Sequence, residues 1–130
     1  MTDPMEIRAI PRRSGDSVPP GKTLRLLVVD DHEVVRQGLA ALLNRREAFQ
    51  VVAEAGTVEE ALLAVDRFAP DLVIMDVRLP DGSGIEACRA IRQQAGNRLV
   101  PVLMLTGRND LTAISDAYAS GASDFAQKGL

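Results

Sequence analysis

A chain of 130 residues is the size of one domain and long enough to enclose a hydrophobic core. With 25% charged residues and a formal net charge of −3, it has neither the basic balance of a nucleic-acid binder nor an apolar stretch of membrane-spanning length. The lone Cys88 excludes an internal disulfide framework, and the amino terminus carries no signal-peptide pattern, so a cytoplasmic protein with no membrane partner is expected.

Aromatic residues make up only 3% of the chain, so its core must be built from Val, Leu, Ile and Ala. Residues 1–22 read as a flexible N-terminal tail, because Pro4, Pro11, Pro19, Pro20, Gly15 and Gly21 break any periodicity. Arg12 and Arg13 within it read as solvated charges. From residue 23 to 130 strand and helix patterns alternate, and one domain is expected there. Leu24–Val29 is an apolar run that ends on Asp30 and Asp31. A helix follows from Glu33 to about Arg46, with Val35, Leu39, Leu42 and Leu43 expected on its inner face. Gln50–Ala55 reads as a more polar strand.

Thr57-Val58-Glu59-Glu60 is a capping box, in which the Thr57 hydroxyl and the Glu60 carboxylate satisfy free amide hydrogens of a new helix. Leu62, Val65, Phe68 and Ala69 fall at core spacing along it, and Pro70 stops it. Leu72-Val73-Ile74-Met75 has no polar interruption, as suits a strand buried on both faces, and it ends on Asp76. The Pro80 and Gly82 beyond it demand a sharp loop. Ser83-Gly84-Ile85-Glu86 opens a third helix with Ile85, Cys88 and Ile91 inward, ending near Gly96. A strand from Val100 to Leu105 ends on Thr106. An Ala-rich helix is expected from about Asp110 to Ser120, with Ile114 and Ala117 inside and Gly121 as its stop. Asp124–Gln127 makes a last short strand before Lys128.

The alternation argues for an α/β fold, a doubly wound parallel five-stranded sheet with helices on both faces. The first, third and fourth strands are the most apolar and the second and fifth carry polar residues. That is the distribution expected of strand order 2-1-3-4-5, whose second and fifth strands are edges. In this order Asp30, Asp31 and Asp76 emerge side by side at the carboxyl ends of neighbouring strands, where ligands bind in open α/β sheets.

Taken singly, an acid at a strand end is a turn former or helix cap. Together, three carboxylates in one crevice repel one another unless a cation is present, and a hard oxygen-seeking ion such as Mg²⁺ resolves the conflict. A carboxylate can also act as a nucleophile and accept a phosphoryl group. Such a transfer needs little beyond an in-line nucleophile and neutralised phosphoryl oxygens. The Lys128 ammonium and the Thr106 hydroxyl are placed to contribute to that neutralisation. His32, in the first turn of a helix, reads as solvated or capping, and Cys88 as packing.

The set Asp30-Asp31, Asp76, Thr106 and Lys128, each at a strand's carboxyl end and in this chain order, resembles the receiver (CheY-like, flavodoxin-like) domain of two-component response regulators. The resemblance covers about residues 24 to 129. The text Val-Val-Asp-Asp-His-Glu-Val-Val-Arg with Asp-Val-Arg-Leu-Pro-Asp-Gly-Ser-Gly-Ile-Glu looks most like the NarL/FixJ subfamily with LuxR-type output. The resemblance implies that Asp76 is the phosphoacceptor of a sensor histidine kinase, and that Asp31 and Asp76 bind Mg²⁺ directly. Asp30 would act through a bound water or Lys128, and the backbone carbonyl of Arg78 would complete the protein ligands. It makes Thr106 the switch hydroxyl, Phe125 the switch aromatic, Gly107 the small residue beside the phosphate, and Arg78 and Arg108 the side chains flanking it. It implies a signalling domain that assists its own phosphorylation and dephosphorylation, in a homodimer whose DNA contacts belong to an output domain outside these residues.

Two departures accompany the resemblance. Gly129 follows Lys128 where many relatives have Pro, and the chain stops at Leu130 where a fifth helix of the fold should begin, so a fragment of a longer regulator is expected. Two other functions compete. An aspartyl-nucleophile phosphohydrolase needs a second acid two residues after the nucleophile, which neither Asp30-Asp31-His32 nor Asp76-Val77-Arg78 supplies. A stand-alone receiver or interaction module would act by protein–protein contact, without DNA-binding output.

Overall fold

The computed structural model of the protein describes residues 8–9, 23–94, 100–106, 115–116 and 118–127. The elements are β1 (Arg8–Ala9), β2 (Leu24–Val29), α1 (Glu33–Asn44), β3 (Phe49–Ala55), α2 (Val58–Phe68), β4 (Leu72–Asp76), β5 (Arg78–Leu79), β6 (Gly82–Ser83), α3 (Gly84–Gln93), β7 (Val102–Thr106) and β8 (Asp124–Gln127). No helix among the described residues is long and apolar enough to cross a membrane.

The sheet runs β1-β3-β2-β4-β7-β8, and all its pairings except the first are parallel. Without β1 this is the expected 2-1-3-4-5 order. The two-residue β1 lies within the stretch read from sequence as a tail. It pairs antiparallel with β3, Arg8 opposite Glu54 and Ala9 opposite Ala53. Thus β3 has a neighbour on each side, and all five residues from Val51 to Ala55 are buried. Expecting a polar edge strand there overlooks how little of β3 faces water.

Alternation along the strands divides the core in two. Leu27, Val29, Val73 and Met75 face α2 and α3, where Ala61, Ala64, Val65, Ala87, Cys88 and Ile91 meet them. Leu26, Val28, Val51 and Ile74 face the other way, toward Ala40 with Leu39 and Leu43 of α1. Helices therefore cover both faces, the doubly wound arrangement.

On α3 the expected inner face holds: Cys88 and Ile91 are fully buried and Ile85 packs against the same cluster. On α1 it is rotated. Leu39 and Leu43 face the sheet, but Val35 and Leu42 are exposed, at 50% and 61%, together with Val34 at 82%. The inward stripe is instead Arg36, Leu39, Ala40 and Leu43, spaced i, i+3, i+4, i+7, with Ala40 buried and the other three partly so. An apolarity count misses it because one member is a charge. On α2, Leu62, Val65 and Phe68 pack as expected. Ala69 does not: it is the C-cap, exposed and left-handed at φ 44°, with its N–H on the Val65 carbonyl. Ending the helix with Pro70 next in line leaves that turn to whatever residue stands there.

Both N-cap hydroxyls act as expected, and the Glu60 carboxylate turns back one residue beyond its cap. Thr57 Oγ1 accepts from the Glu60 amide at 3.1 Å, and Glu60 Oε1 accepts from the Gly56 amide at 2.8 Å. Ser83 Oγ accepts from the Glu86 amide at 3.1 Å. Residues 115–116 and 118–119 are helical, and Gly121 closes that segment at φ +101°. Ile114, Ala117 and Gly96 lie outside the described residues.

Candidate functional site

The polar edge of the sheet is assembled by register. Val29 is paired with Met75, so the next residues along these parallel neighbours are Asp30 and Asp76, on strands about 4.8 Å apart. Asp76 is in turn paired with Leu105, which puts Thr106 one step further along β7. Thr106 is paired with Gln127, the residue before Lys128. Thr106 thus ends β7, and Phe125 lies within β8 opposite Met104. Lys128, Gly107 and Arg108 lie outside the described residues.

Asp30 is only 1% exposed. Its amide donates to the Ala55 carbonyl at 3.0 Å, and its Oδ1 accepts from the His32 amide at 2.9 Å. That side chain does the capping at the start of α1, since the N-cap His32 makes no side-chain cap bond of its own. The His32 ring is well exposed, as expected, with Nδ1 at 3.2 Å from Asp31 Oδ1 and 3.8 Å from Asp30 Oδ1. Asp30, Asp31 and His32 each offer one ligand atom within 4.8 Å of the others. Asp76 belongs to the next strand and falls outside this group. The two carboxylates are hard oxygen donors, and the donor set fits a divalent cation that keeps part of its water.

Asp76 is 5% exposed and holds the turn beyond it, its Oδ1 accepting from the Arg78 amide at 3.4 Å. The Val77 amide donates to the Leu105 carbonyl at 3.1 Å, and the Gly84 amide to the Val77 carbonyl at 2.7 Å. Between them β5 and β6 form a small hairpin, Arg78 opposite Ser83. The return requires Gly84. A Cβ there would lie 2.0 Å from the Asp76 carbonyl oxygen, so α3 starts hard against the strand that carries the acid.

Two features of the site escape a reading by motif. Asp81 leaves the hairpin and caps a different element, accepting from the Val58 amide at 2.7 Å and the Glu59 amide at 3.3 Å. Arg36 reaches under the end of β2. Its Nε donates to Glu54 Oε1 at 3.0 Å and its Nη1 to the Asp30 carbonyl at 2.8 Å. The available signal was the lone acid Glu54 in Val-Val-Ala-Glu-Ala, with a lone base on the inner stripe of the preceding helix.

The profile of the response regulator receiver domain matches residues 26–130. The chain belongs to that family. Over 107 residues this receiver domain is 42% identical to the DNA-binding transcriptional activator DevR/DosR of Mycobacterium tuberculosis, covering 82% of the chain and 48% of that protein. It is 40% identical to the protein-glutamate methylesterase/protein-glutamine glutaminase of a Nocardioides species, covering 81% of the chain and 29% of that enzyme. Among solved structures it resembles a LuxR-family two-component response regulator from Aurantimonas sp. SI85-9A1. There the TM-score is 0.76 and the identity 39%, over 82% of the chain and 75% of that one. The chain spans about half the length of DevR/DosR and of other curated transcriptional regulators that it matches.

Proposed function

We propose that this receiver domain accepts a phosphoryl group on Asp76 from a sensor histidine kinase, in the cytoplasm, and passes the signal to an output by changing its surface. The observation that carries the reading is the register that brings Asp30-Asp31, Asp76 and Thr106 to consecutive strand ends on one edge of the sheet. A carboxylate oxygen of Asp76 attacks phosphorus as the bond to the kinase imidazole breaks, and the electron pair of that bond leaves with the nitrogen. Asp31 and Asp76, with the Arg78 carbonyl and with Asp30 acting indirectly, would hold a divalent cation, Mg²⁺ in this reading. When bound, it neutralises charge on the phosphoryl oxygens. The Lys128 ammonium neutralises more of that charge, and the Thr106 hydroxyl donates to a phosphoryl oxygen.

The modification adds about two negative charges and three acceptor oxygens. Movement of Thr106 toward them vacates space for Phe125 to turn inward, biasing an equilibrium between two pre-existing arrangements. In the parent protein the output is LuxR-type DNA binding, with pairing of two copies, as the similarity to a transcriptional activator suggests. The comparable identity to a methylesterase supports a second reading for the output alone, an enzyme, since this chain matches 29% of that protein's length.

The test is incubation with Mg²⁺ and a small acyl phosphate, followed by intact mass. One acid-stable, base-labile phosphoryl adduct is expected, prevented by EDTA and abolished by Asp76→Asn. An adduct that survives Asp76→Asn removes that residue from the role, and continuous turnover of phosphate esters would mark an enzyme instead.

A further inference from the structure

Arg36 is the charged member of the inner stripe of α1, and its guanidinium joins three elements. Nε donates to Glu54 Oε1 on β3 at 3.0 Å, and Nη1 donates to the backbone carbonyl of Asp30, past the end of β2, at 2.8 Å. The pair is withdrawn from water, the Arg36 side chain 15% exposed and Glu54 3%. Gly56 supplies the room: a Cβ there would stand 2.9 Å from Arg36 Nη1 and 3.8 Å from the Asp30 carbonyl.

A buried ion pair is weak grounds for stability, because desolvating both charges offsets most of their attraction. What the geometry does supply is a fixed backbone at the acids. The Asp30 peptide is held at its amide by the Ala55 carbonyl, 3.0 Å away, and at its carbonyl by Arg36. Its carboxylate is committed to the His32 amide, and the Arg36 amide returns to the His32 carbonyl at 2.8 Å. The turn from β2 into α1, on which Asp30 and Asp31 sit, is therefore clamped at both ends. Guanidinium planarity suits the task, since Nε and Nη1 serve two acceptors in fixed directions, whereas an ammonium holds its donors on one rotating atom.

We propose that Arg36, oriented by Glu54, is a positioning residue for the divalent-cation site, setting the Asp30–Asp31 backbone so that both carboxylates are presented without reorganisation. The inference rests on the cation reading given above. Outer-shell partners of this kind are worth about 10–100-fold in metal affinity.

The test is Mg²⁺ titration by calorimetry on the full chain, with the urea midpoint of each variant measured separately. Arg36→Met with Glu54→Gln removes the buried charges together, so the fold need not shelter one alone, and the Mg²⁺ Kd is expected to rise at least about 10-fold. Arg36→Lys keeps the charge and is expected to remain weakened. Gly56→Ala moves only the end of a flexible side chain. It is expected to raise Kd while leaving the urea midpoint near the parent's, a split that a purely structural role does not produce. Asp31→Asn separates the two levels. If it abolishes binding while the double variant and Gly56→Ala bind Mg²⁺ like the parent, the positioning role is overturned and the cation site stands. If the parent itself binds no Mg²⁺, both are overturned.

Discussion

Alanine at Gly84 and alanine at Gly38 are the same substitution in two helices, and the structure assigns them opposite signs. A methyl carbon on Gly84 falls 2.0 Å from the Asp76 carbonyl oxygen, 3.0 Å from its carbonyl carbon and 3.0 Å from Met75 Cγ. Real Cβ contacts essentially never fall below 3.0 Å, so relief requires a movement of at least about 1 Å. The obstacle is backbone in a strand paired on both sides, and it cannot turn away as a side chain would. The start of α3 must move instead, against the bond from the Gly84 amide to the Val77 carbonyl and against the buried Ala87, Cys88 and Ile91.

Overpacking of this kind costs about 1–3 kcal/mol, and rigid backbone puts it at the upper end. Helix propensity returns less than about 1 kcal/mol, leaving a net loss of roughly 2 kcal/mol. Gly38 lies within α1 with nothing inside 4 Å of its added carbon, so only the propensity gain of about 0.5–1 kcal/mol applies. Urea unfolding followed by far-UV circular dichroism reads both, and at equal m-values the midpoints report stability. Gly38→Ala should unfold later than the parent and Gly84→Ala earlier, with roughly 3 kcal/mol between them. A Gly84→Ala midpoint at or above the parent's would refute the close approach of α3 to β4.

The rotated face of α1 is tested by neighbours: Leu42→Ala should change stability by less than about 0.5 kcal/mol, whereas Leu43→Ala should cost about 2 kcal/mol in the same urea assay. Asp81→Ala deprives the first amides of α2 of both acceptors and should cost about 1 kcal/mol, read by thermal unfolding. Gly121→Ala combines φ +101° with Arg92 Cγ and Nε at 3.1 Å, so a loss of about 1–3 kcal/mol is expected from thermal unfolding.

The acid-bearing strands and the N-caps of two helices were legible because their signals are local. Leu72–Asp76 announces its own burial, and Thr57 finds its partner three residues on, within one turn of helix. Apolarity alone puts Val35 and Leu42 inside, yet the face of α1 is chosen by what lies beneath it, and there Arg36 meets Glu54. Period alone puts Ala69 inside, although the helix has already ended at Phe68. The pairing of Arg8–Ala9 with β3 was hidden among prolines and glycines, because a strand of two residues has no period to detect.

Residue order by itself determined the five parallel strands, the first three helices, their succession and the alignment of acids and hydroxyl at strand ends, since hydrophobic period and turn chemistry act over a few residues. Tertiary structure alone decided which side of α1 is buried, which charge accompanies it, where Asp81 finds amides to cap, and why no side chain fits at Gly84. Each of those depends on two surfaces brought together from distant parts of the chain. Neither surface carries enough information to specify the contact until the other is in place.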